Sequence, residues 1–130
     1  LEECADHAGS KGIFLGIENH DAIGSSEHLL KLISGVKSPW LGVNLDSGNF
    51  HTSDPYTDFE RCLPYAVNIQ LKTEIQPDGQ KKPQPADLQR LIASIKTSGY
   101  QGFVALEYEA TENPITAIPP ILSQLHSLLS

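Results

Sequence analysis

The sequence has few of the residues that mark several large classes of protein. Only 2 of its 130 residues are cysteine, and 9 lysines and arginines face 16 aspartates and glutamates. Cys4 and Cys62 have no second cysteine or histidine at metal-finger spacing, so we interpret both as reduced, mostly buried thiols. The formal net charge of −7 argues against a nucleic-acid partner, because general nucleic-acid binding needs a basic surface.

Long apolar runs and an initiator methionine are also missing. No segment approaches the roughly 20 apolar residues that span a bilayer, so no membrane partner is expected. Residues 1–12 have the pattern of the back half of a helix without a capping residue. We therefore expect a piece of a longer chain, for which the sequence does not fix the compartment, although a cytoplasmic location is favoured.

What the sequence does contain is an alternation of strand-like and helix-like segments. Apolar stretches predict strands at 13–18, 41–46, 66–72 and 102–108. Helical patterns follow at 24–36, 54–66 and 85–99, and a final helix is predicted to begin around Pro119 or Pro120. Segment 73–85, rich in proline, predicts an exposed irregular loop. Repeated β-α units predict a single α/β domain, residues 1–130, on a parallel sheet whose apolar strands are covered on both faces.

Polar side chains stand where the four predicted strands end. They are Glu18, Asp46, Gln70 with Lys72, and Glu107, spaced about one β-α unit apart. The carboxyl ends of parallel strands meet at one edge of the sheet, where chemistry collects. Clustered carboxylates repel one another unless a cation lies between them, and oxygen donors suit Mg²⁺ or Mn²⁺. Taken singly, each carboxylate has a simpler explanation as a helix cap or a lysine partner.

Four motifs carry a resemblance to a known family. GIENH, LGVNLDSGNFH, IQLKTE and GFVALEYE, in that order, resemble the sugar phosphate isomerase/epimerase family of the xylose-isomerase-like TIM barrel superfamily. The resemblance spans essentially the whole chain but only the C-terminal half of the family's barrel, strands five to eight. It implies four parallel strands alternating with helices, a half barrel belonging to a full eight-stranded one. Its open sheet edges make pairing with a second copy a further expectation.

The resemblance also implies a site. Transferred to this sequence, it places one divalent metal ion on Glu18, Asp46, Gln70 and Glu107, with Mn²⁺ or Mg²⁺ favoured and Zn²⁺ or Co²⁺ as other options. Gln70 stands where the family has a histidine, a departure that affects metal affinity or identity. Glu18 and Glu107 are implied as the catalytic, proton-transferring pair. The residues implied at the substrate are His20, Asn49, His51, Lys72 and Glu74.

The implied activity is that of a metal-dependent isomerase or epimerase acting on a sugar or sugar phosphate. Protons would move through carboxylates, by way of a metal-stabilised enediolate. Two alternatives stay open. A dehydratase of the inosose type would use the same metal and base, and a non-catalytic or degenerate sugar-binding barrel is favoured by Gln70. We expect the isolated 130 residues to be poorly active, because strands one to four normally supply part of the pocket.

Overall fold

The structure, a computed structural model, describes all 130 residues and alternates helices with strands. The chain also contains two short 3₁₀ turns, Asp21–Ile23 and Leu63–Tyr65. The elements are α1 Glu2–Gly9, β1 Leu15–Glu18, α2 Ser26–Ser34, β2 Leu41–Asp46, α3 Pro55–Cys62, β3 Ala66–Lys72, β4 Glu74–Ile75, β5 Gln84–Pro85, α4 Leu88–Ser98, β6 Val104–Glu107 and α5 Pro114–Leu129.

The main sheet has four strands in the order β1-β2-β3-β6, and every neighbouring pair is parallel. The predicted α/β class is therefore confirmed. Strands β2 and β3 have their predicted bounds, whereas β1 and β6 are shorter than predicted. Because β1 and β6 each have one neighbour, their outer edges are unpaired within the chain, and pairing with a second copy stays a prediction. None of the helices combines the length and the hydropathy that a membrane-spanning helix requires.

The hydrophobic core lies on one face of this sheet. Alternate strand residues enter it, among them the fully buried Leu45, Ile69 and Leu71, and they meet residues of α2 to α5 such as Phe59 and Leu91. The residues on the opposite face include polar or small ones: Gly16 is exposed, and Asn44, Asn68 and Gln70 are half-buried. The prediction that both faces are covered was wrong. Period-two alternation of polar residues in β3 places Asn68, Gln70 and Lys72 on the face away from the core.

A β-bulge sets which residues of β3 lie beside those of β2. Val43 aligns with Ala66, but the next residue, Asn44, aligns with Asn68, so Val67 is the extra residue. Two residues of the bulged strand then oppose one of its neighbour. As a result, Asn68 lies on the same face as Asn44, which an unshifted register would have prevented.

The side chain of Val67 fills space beside two glycines. A Cβ on Gly42 would lie 2.3 Å from Val67 Cγ1, and one on Gly16 would lie 3.2 Å from Val67 Cγ2. Real side-chain atoms do not approach to 2.3 Å, so glycine at position 42 allows the bulged residue to pack over the sheet.

Two helices begin elsewhere than predicted. Helix α4 begins at Leu88, where Asp87 caps it by accepting from Arg90 N–H. Helix α5 begins at Pro114, after the capping residue Asn113, and so includes Pro119 and Pro120 in its interior. A capping side chain followed by proline at the first helical position is the stronger start signal. The predicted end of α4 at Gly99 is confirmed by a left-handed φ of 74°.

The segment predicted as an irregular loop contains a short antiparallel pair. Strands β4 and β5 pair through Glu74 with Pro85 and through Ile75 with Gln84. Pro85 therefore belongs to an edge strand, where the missing N–H is tolerated, and not to the start of a helix. The pair folds back beside the end of β3, close to the predicted site.

Asp58 of α3 fixes the loop that leaves β2. Its carboxylate accepts hydrogen bonds from Ser26 N–H at 3.1 Å, from the Ser26 hydroxyl and from the Thr52 hydroxyl. One charged group thus joins the start of α2 to the loop that carries Asn49 and His51. Hydrogen bonds to a charged acceptor stabilise more than neutral ones.

We expect Asp58→Ala to lower the free energy of unfolding by about 2–3 kcal/mol, because three donors lose a charged acceptor. Asp54→Ala is the matched control. It removes the cap of α3, where Asp54 accepts from the Thr57 N–H and the Thr57 hydroxyl, and because it joins no second segment it should cost less than Asp58→Ala. Urea unfolding of both variants measures the difference, and equal losses would contradict a linking role for Asp58.

Candidate active site

The parallel register gathers the predicted residues at one end of the sheet. Asp46 aligns with Gln70, and Lys72 aligns with Glu107, on three neighbouring strands. Glu18 ends β1 on the far side of β2. The two glutamates are therefore on the outer strands, with Asp46 and Gln70 between them.

Asp46 is held by the side chain of Asn19. Asn19 Nδ2 donates to the Asp46 carbonyl at 2.9 Å, and Asp46 N–H donates to Asn19 Oδ1 at 2.8 Å. Neither residue has any exposed surface. Asn19 directly follows Glu18, the last residue of β1, so the end of β1 fixes the end of β2.

The two oxygens of the Asp46 carboxylate differ. Oδ1 accepts from the N–H groups of Gly48 at 2.7 Å and Asn49 at 3.1 Å. Oδ2 is buried and has no hydrogen-bond partner, although Lys72 Nζ lies 3.5 Å away. Burial raises the pKa of Asp46 from 3.8 to about 6. The Gly48 N–H and the Lys72 charge oppose this rise, whereas Glu107 adds to it.

Lys72 supplies the positive charge in the cluster. Its Nζ lies 2.5 Å from Glu109 Oε2, 3.5 Å from Asp46 Oδ2 and 3.9 Å from Glu107 Oε1, and it donates to Asn49 Oδ1 at 3.1 Å. Desolvation lowers the pKa of Lys72, but the Glu109 hydrogen bond and the neighbouring carboxylates outweigh it, so the pKa is raised. Lys72 is therefore charged at neutral pH and neutralises part of the cluster.

Asn49 connects the two sides of the site. Its Nδ2 donates to Glu18 Oε1 at 3.2 Å, while its Oδ1 accepts from Lys72. A cleft of about 210 Å³ opens next to it, lined among others by His51, Glu74 and Glu109. His51 Nδ1 lies 3.0 Å from the Gln76 carbonyl.

His20 is the predicted residue that lies apart. Its Nδ1 is 3.0 Å from Asp21 Oδ2, its side chain is 60% exposed, and it does not line the cleft. The other residues predicted at the substrate, Asn49, His51, Lys72 and Glu74, all line it.

Comparison with known proteins identifies the family. Residues 1–126 match the family model described as xylose isomerase-like TIM barrel. The chain belongs to the xylose isomerase-like TIM barrel family. No curated protein sequence matches it.

Solved structures agree on the fold. A xylose isomerase domain protein from Planctomyces limnophilus is similar at a TM-score of 0.79 and 22% identity over 98% of this chain and 50% of that one. The 3-keto-D-glucoside 4-epimerase from E. coli is similar at a TM-score of 0.75 and 14% identity, over 96% of this chain and 50% of that one. A xylose isomerase-like TIM barrel protein from Mycobacterium smegmatis, in complex with magnesium, is similar at a TM-score of 0.72 and 24% identity. The similarity covers 99% of this chain and 49% of that one. The chain spans about half the length of these proteins, and its four parallel strands form a half TIM barrel.

The carboxylates of this half barrel suit a divalent cation in their chemistry. Glu18, Asp46 and Glu107 offer hard oxygen donors, and Asp46 Oδ2 is a buried oxygen with no donor. In the arrangement present, no three His, Cys, Asp or Glu side chains gather closely enough to hold an ion. The Lys72 ammonium instead lies within 4 Å of both Asp46 and Glu107.

Several residues at this end of the half barrel were missed from the sequence. Asn44 and Asn68 form hydrogen bonds beside Gln70, and Glu109 binds Lys72 most closely of the carboxylates. Alternation was the available signal, since Asn44 with Asp46, and Asn68 with Gln70 and Lys72, are two residues apart.

The raised pKa of Asp46 predicts how stability changes with pH. The folded chain binds this proton more tightly than the unfolded chain, so its stabilising contribution is complete below about pH 4 and is lost as the pH rises through 6. A shift from 3.8 to about 6 corresponds to at most about 3 kcal/mol. Urea unfolding between pH 4 and 7, with a chelator present, should show this loss.

Asp46→Asn should remove this pH-dependent loss. Asp54→Asn is the control, because Asp54 affects stability with the opposite pH dependence. The Thr57 hydroxyl and N–H lower the pKa of Asp54, so Asp54 contributes stability that is lost as the pH falls. A pH profile in Asp46→Asn that equals the parent's would contradict the assignment.

Proposed function

We propose that this half barrel carries the active site of a divalent-metal-dependent isomerase or epimerase that acts on a carbohydrate. The observation that carries the proposal is the buried, unpaired Oδ2 of Asp46 between two strand-end glutamates. An unpaired, buried carboxylate oxygen is a hard donor that a divalent cation can use.

Three carboxylates would hold the ion: Glu18, Asp46 and Glu107. Their oxygens favour Mg²⁺ or Mn²⁺ over Zn²⁺, and the magnesium complex of the Mycobacterium smegmatis protein supports this choice. When bound, the ion would polarise substrate oxygens and make the adjacent C–H more acidic. It would compete with the Lys72 ammonium for the same carboxylates.

Glu18 and Glu107 would move the proton. They lie on opposite outer strands, so one can take a proton from carbon and the other can return it from the far side. Each glutamate has one oxygen fixed, Glu18 Oε1 by Asn49 and Glu107 Oε2 by Gln70. Glu18 Oε2 and Glu107 Oε1 are then the atoms that would carry the proton.

The test combines metal binding with proton exchange. We expect the protein to bind about one Mn²⁺, and Glu18→Gln and Glu107→Gln each to weaken that binding. The same variants should lower by about 10²–10⁴-fold any exchange of solvent deuterium into a ketose such as D-fructose. Glu112→Gln, in the loop after β6, is the control and should leave Mn²⁺ affinity within about twofold.

Calorimetry with Mn²⁺ and NMR of the sugar provide the two readouts. Absence of Mn²⁺ binding at these carboxylates would reject the metal-dependent reading. Because the isolated half barrel is expected to be poorly active, binding without exchange favours a non-catalytic carbohydrate-binding barrel, the second candidate, only if a full eight-stranded barrel that contains this chain also shows no exchange. The Lys72 ammonium among the carboxylates also favours that candidate. A dehydrated product would assign the chain to the lyases.

The charge around the cleft favours an uncharged sugar over a phosphate ester. In TIM barrels a phosphate site often follows strands seven and eight, which correspond to β3 and β6 here. The segments after those strands carry Glu74, Glu109 and Glu112, and the ammonium of Lys72 is already bound by Glu109. A phosphate dianion would meet like charges at this position.

We therefore expect D-fructose to shift the amide NMR signals of Gly48 and Asn49 in the presence of Mg²⁺, and D-fructose 6-phosphate to bind at least tenfold more weakly. Reducing the repulsion with Glu109→Gln plus Glu112→Gln should narrow this difference. Tighter binding of the ester by the parent protein would overturn the preference for an uncharged sugar without affecting the metal site.

A further inference from the structure

A row of side-chain amides crosses the sheet and ends on Glu107. Asn68 Nδ2 donates to Asn44 Oδ1 at 2.7 Å, Asn44 Nδ2 donates to Gln70 Oε1, and Gln70 Nε2 donates to Glu107 Oε2 at 2.7 Å. These three hydrogen bonds form the amide row, Asn68–Asn44–Gln70, on the face away from the hydrophobic core.

The direction of the amide row follows from its last member. An ionised carboxylate only accepts hydrogen bonds, so the group of Gln70 that faces Glu107 must be its NH₂. The Gln70 oxygen then faces Asn44, which must present its own NH₂, and the Asn44 oxygen in turn faces Asn68. Each orientation fixes the next, so no amide in the row can turn over alone without placing two oxygens or two NH₂ groups together.

This direction bears on the role of Gln70. A metal ligand would have to present its oxygen to the ion, since an amide NH₂ group does not bind cations. The Gln70 oxygen is already bound by Asn44, and the NH₂ group is the part that faces the carboxylates.

We propose that Gln70 is a positioning residue and not a metal ligand: it orients the Glu107 carboxylate through Nε2, while Asn44 holds the Gln70 oxygen. The inference rests on the proposed function, because Glu107 is there one of the groups that hold the ion and move the proton. Gln70 fixes Oε2 of Glu107 and leaves Oε1 toward the cluster.

The bulge in β3 is what makes the amide row possible. Without the bulge, the register after Val43–Ala66 would align Asn44 with Val67, and Asn68 and Gln70 would lie on the core face. The shift puts Asn44 beside Asn68 and Asp46 beside Gln70. Backbone pairing and side-chain hydrogen bonds thus support the same arrangement.

The first test uses the metal-free protein and the side-chain amide signals of Gln70 in ¹⁵N NMR. We expect its NH₂ protons to exchange with water at least tenfold more slowly than those of the exposed Gln101. Asn44→Leu should abolish this protection, because it releases the Gln70 oxygen. Gln70 protons that exchange as fast as those of Gln101 would overturn the proposal, whether or not the protein binds metal.

The second test titrates Mg²⁺ and compares variants. Removing a group that orients a metal ligand typically weakens affinity by 10–100-fold, so we expect Gln70→Met to weaken Mg²⁺ binding about tenfold and Asn44→Leu to weaken it in the same direction. Gln101→Met, the matched exposed control, should leave affinity unchanged. The Gln70 side-chain carbonyl ¹³C signal should stay in place as Mg²⁺ binds.

The ligand role predicts different results. If the Gln70 oxygen binds the ion, its ¹³C signal should shift on Mg²⁺ addition and Asn44→Leu should leave affinity unchanged or raise it, because the oxygen is freed. Either result would overturn the positioning role. Failure of the parent protein to bind Mg²⁺ would reject the proposed function, and the exchange rates in the metal-free protein would still decide the role of Gln70.

Discussion

The burial of the Asp46 carboxylate is the constraint around which this end of the sheet is arranged. A buried charge costs free energy unless donors or a counter-charge surround it. Two backbone N–H groups and the Asn19 amide hold Asp46 in place, but Oδ2 has no donor and its nearest positive group is Lys72. The position is well fixed and only partly compensated, which is the condition in which a carboxylate has affinity for a further cation.

Either the Lys72 ammonium or a divalent ion would reduce the repulsion among the carboxylates at this end of the sheet. The Lys72 ammonium contacts carboxylates from β2, β6 and the loop after β6, so it lowers their mutual repulsion when no ion is bound. A divalent ion would bring twice the charge to the same oxygens. The loop glutamate Glu109 gives the ammonium a partner outside the predicted ligand set. Compensation of this kind lowers the electrostatic cost of gathering these carboxylates.

The half barrel explains why only one face of the sheet at the site is covered by helices. Helices cover the core face of the sheet, whereas the opposite face carries the amide row and the glycines beside Val67. The solved structures similar to this chain are about twice as long. The residues of these four β-α units supply the carboxylates, and the outer edges of β1 and β6 are where further strands of a closed barrel would pair.

The sequence by itself determined the β-α alternation, the strand-end carboxylates and the family resemblance, because apolar runs and their polar ends are local patterns. It also placed the capped starts of α2 and α3 within a residue or two. Only the tertiary structure decided the register between β2 and β3, where one extra residue, Val67, turns Asn68 and Gln70 to the face of Asn44. The tertiary structure likewise decided that the Asn19 side chain forms hydrogen bonds with the Asp46 backbone and that Gln70 donates its NH₂ group to Glu107. These depend on contacts between residues far apart in the chain, and no local pattern specifies which of two faces, or which end of an amide, a partner will meet.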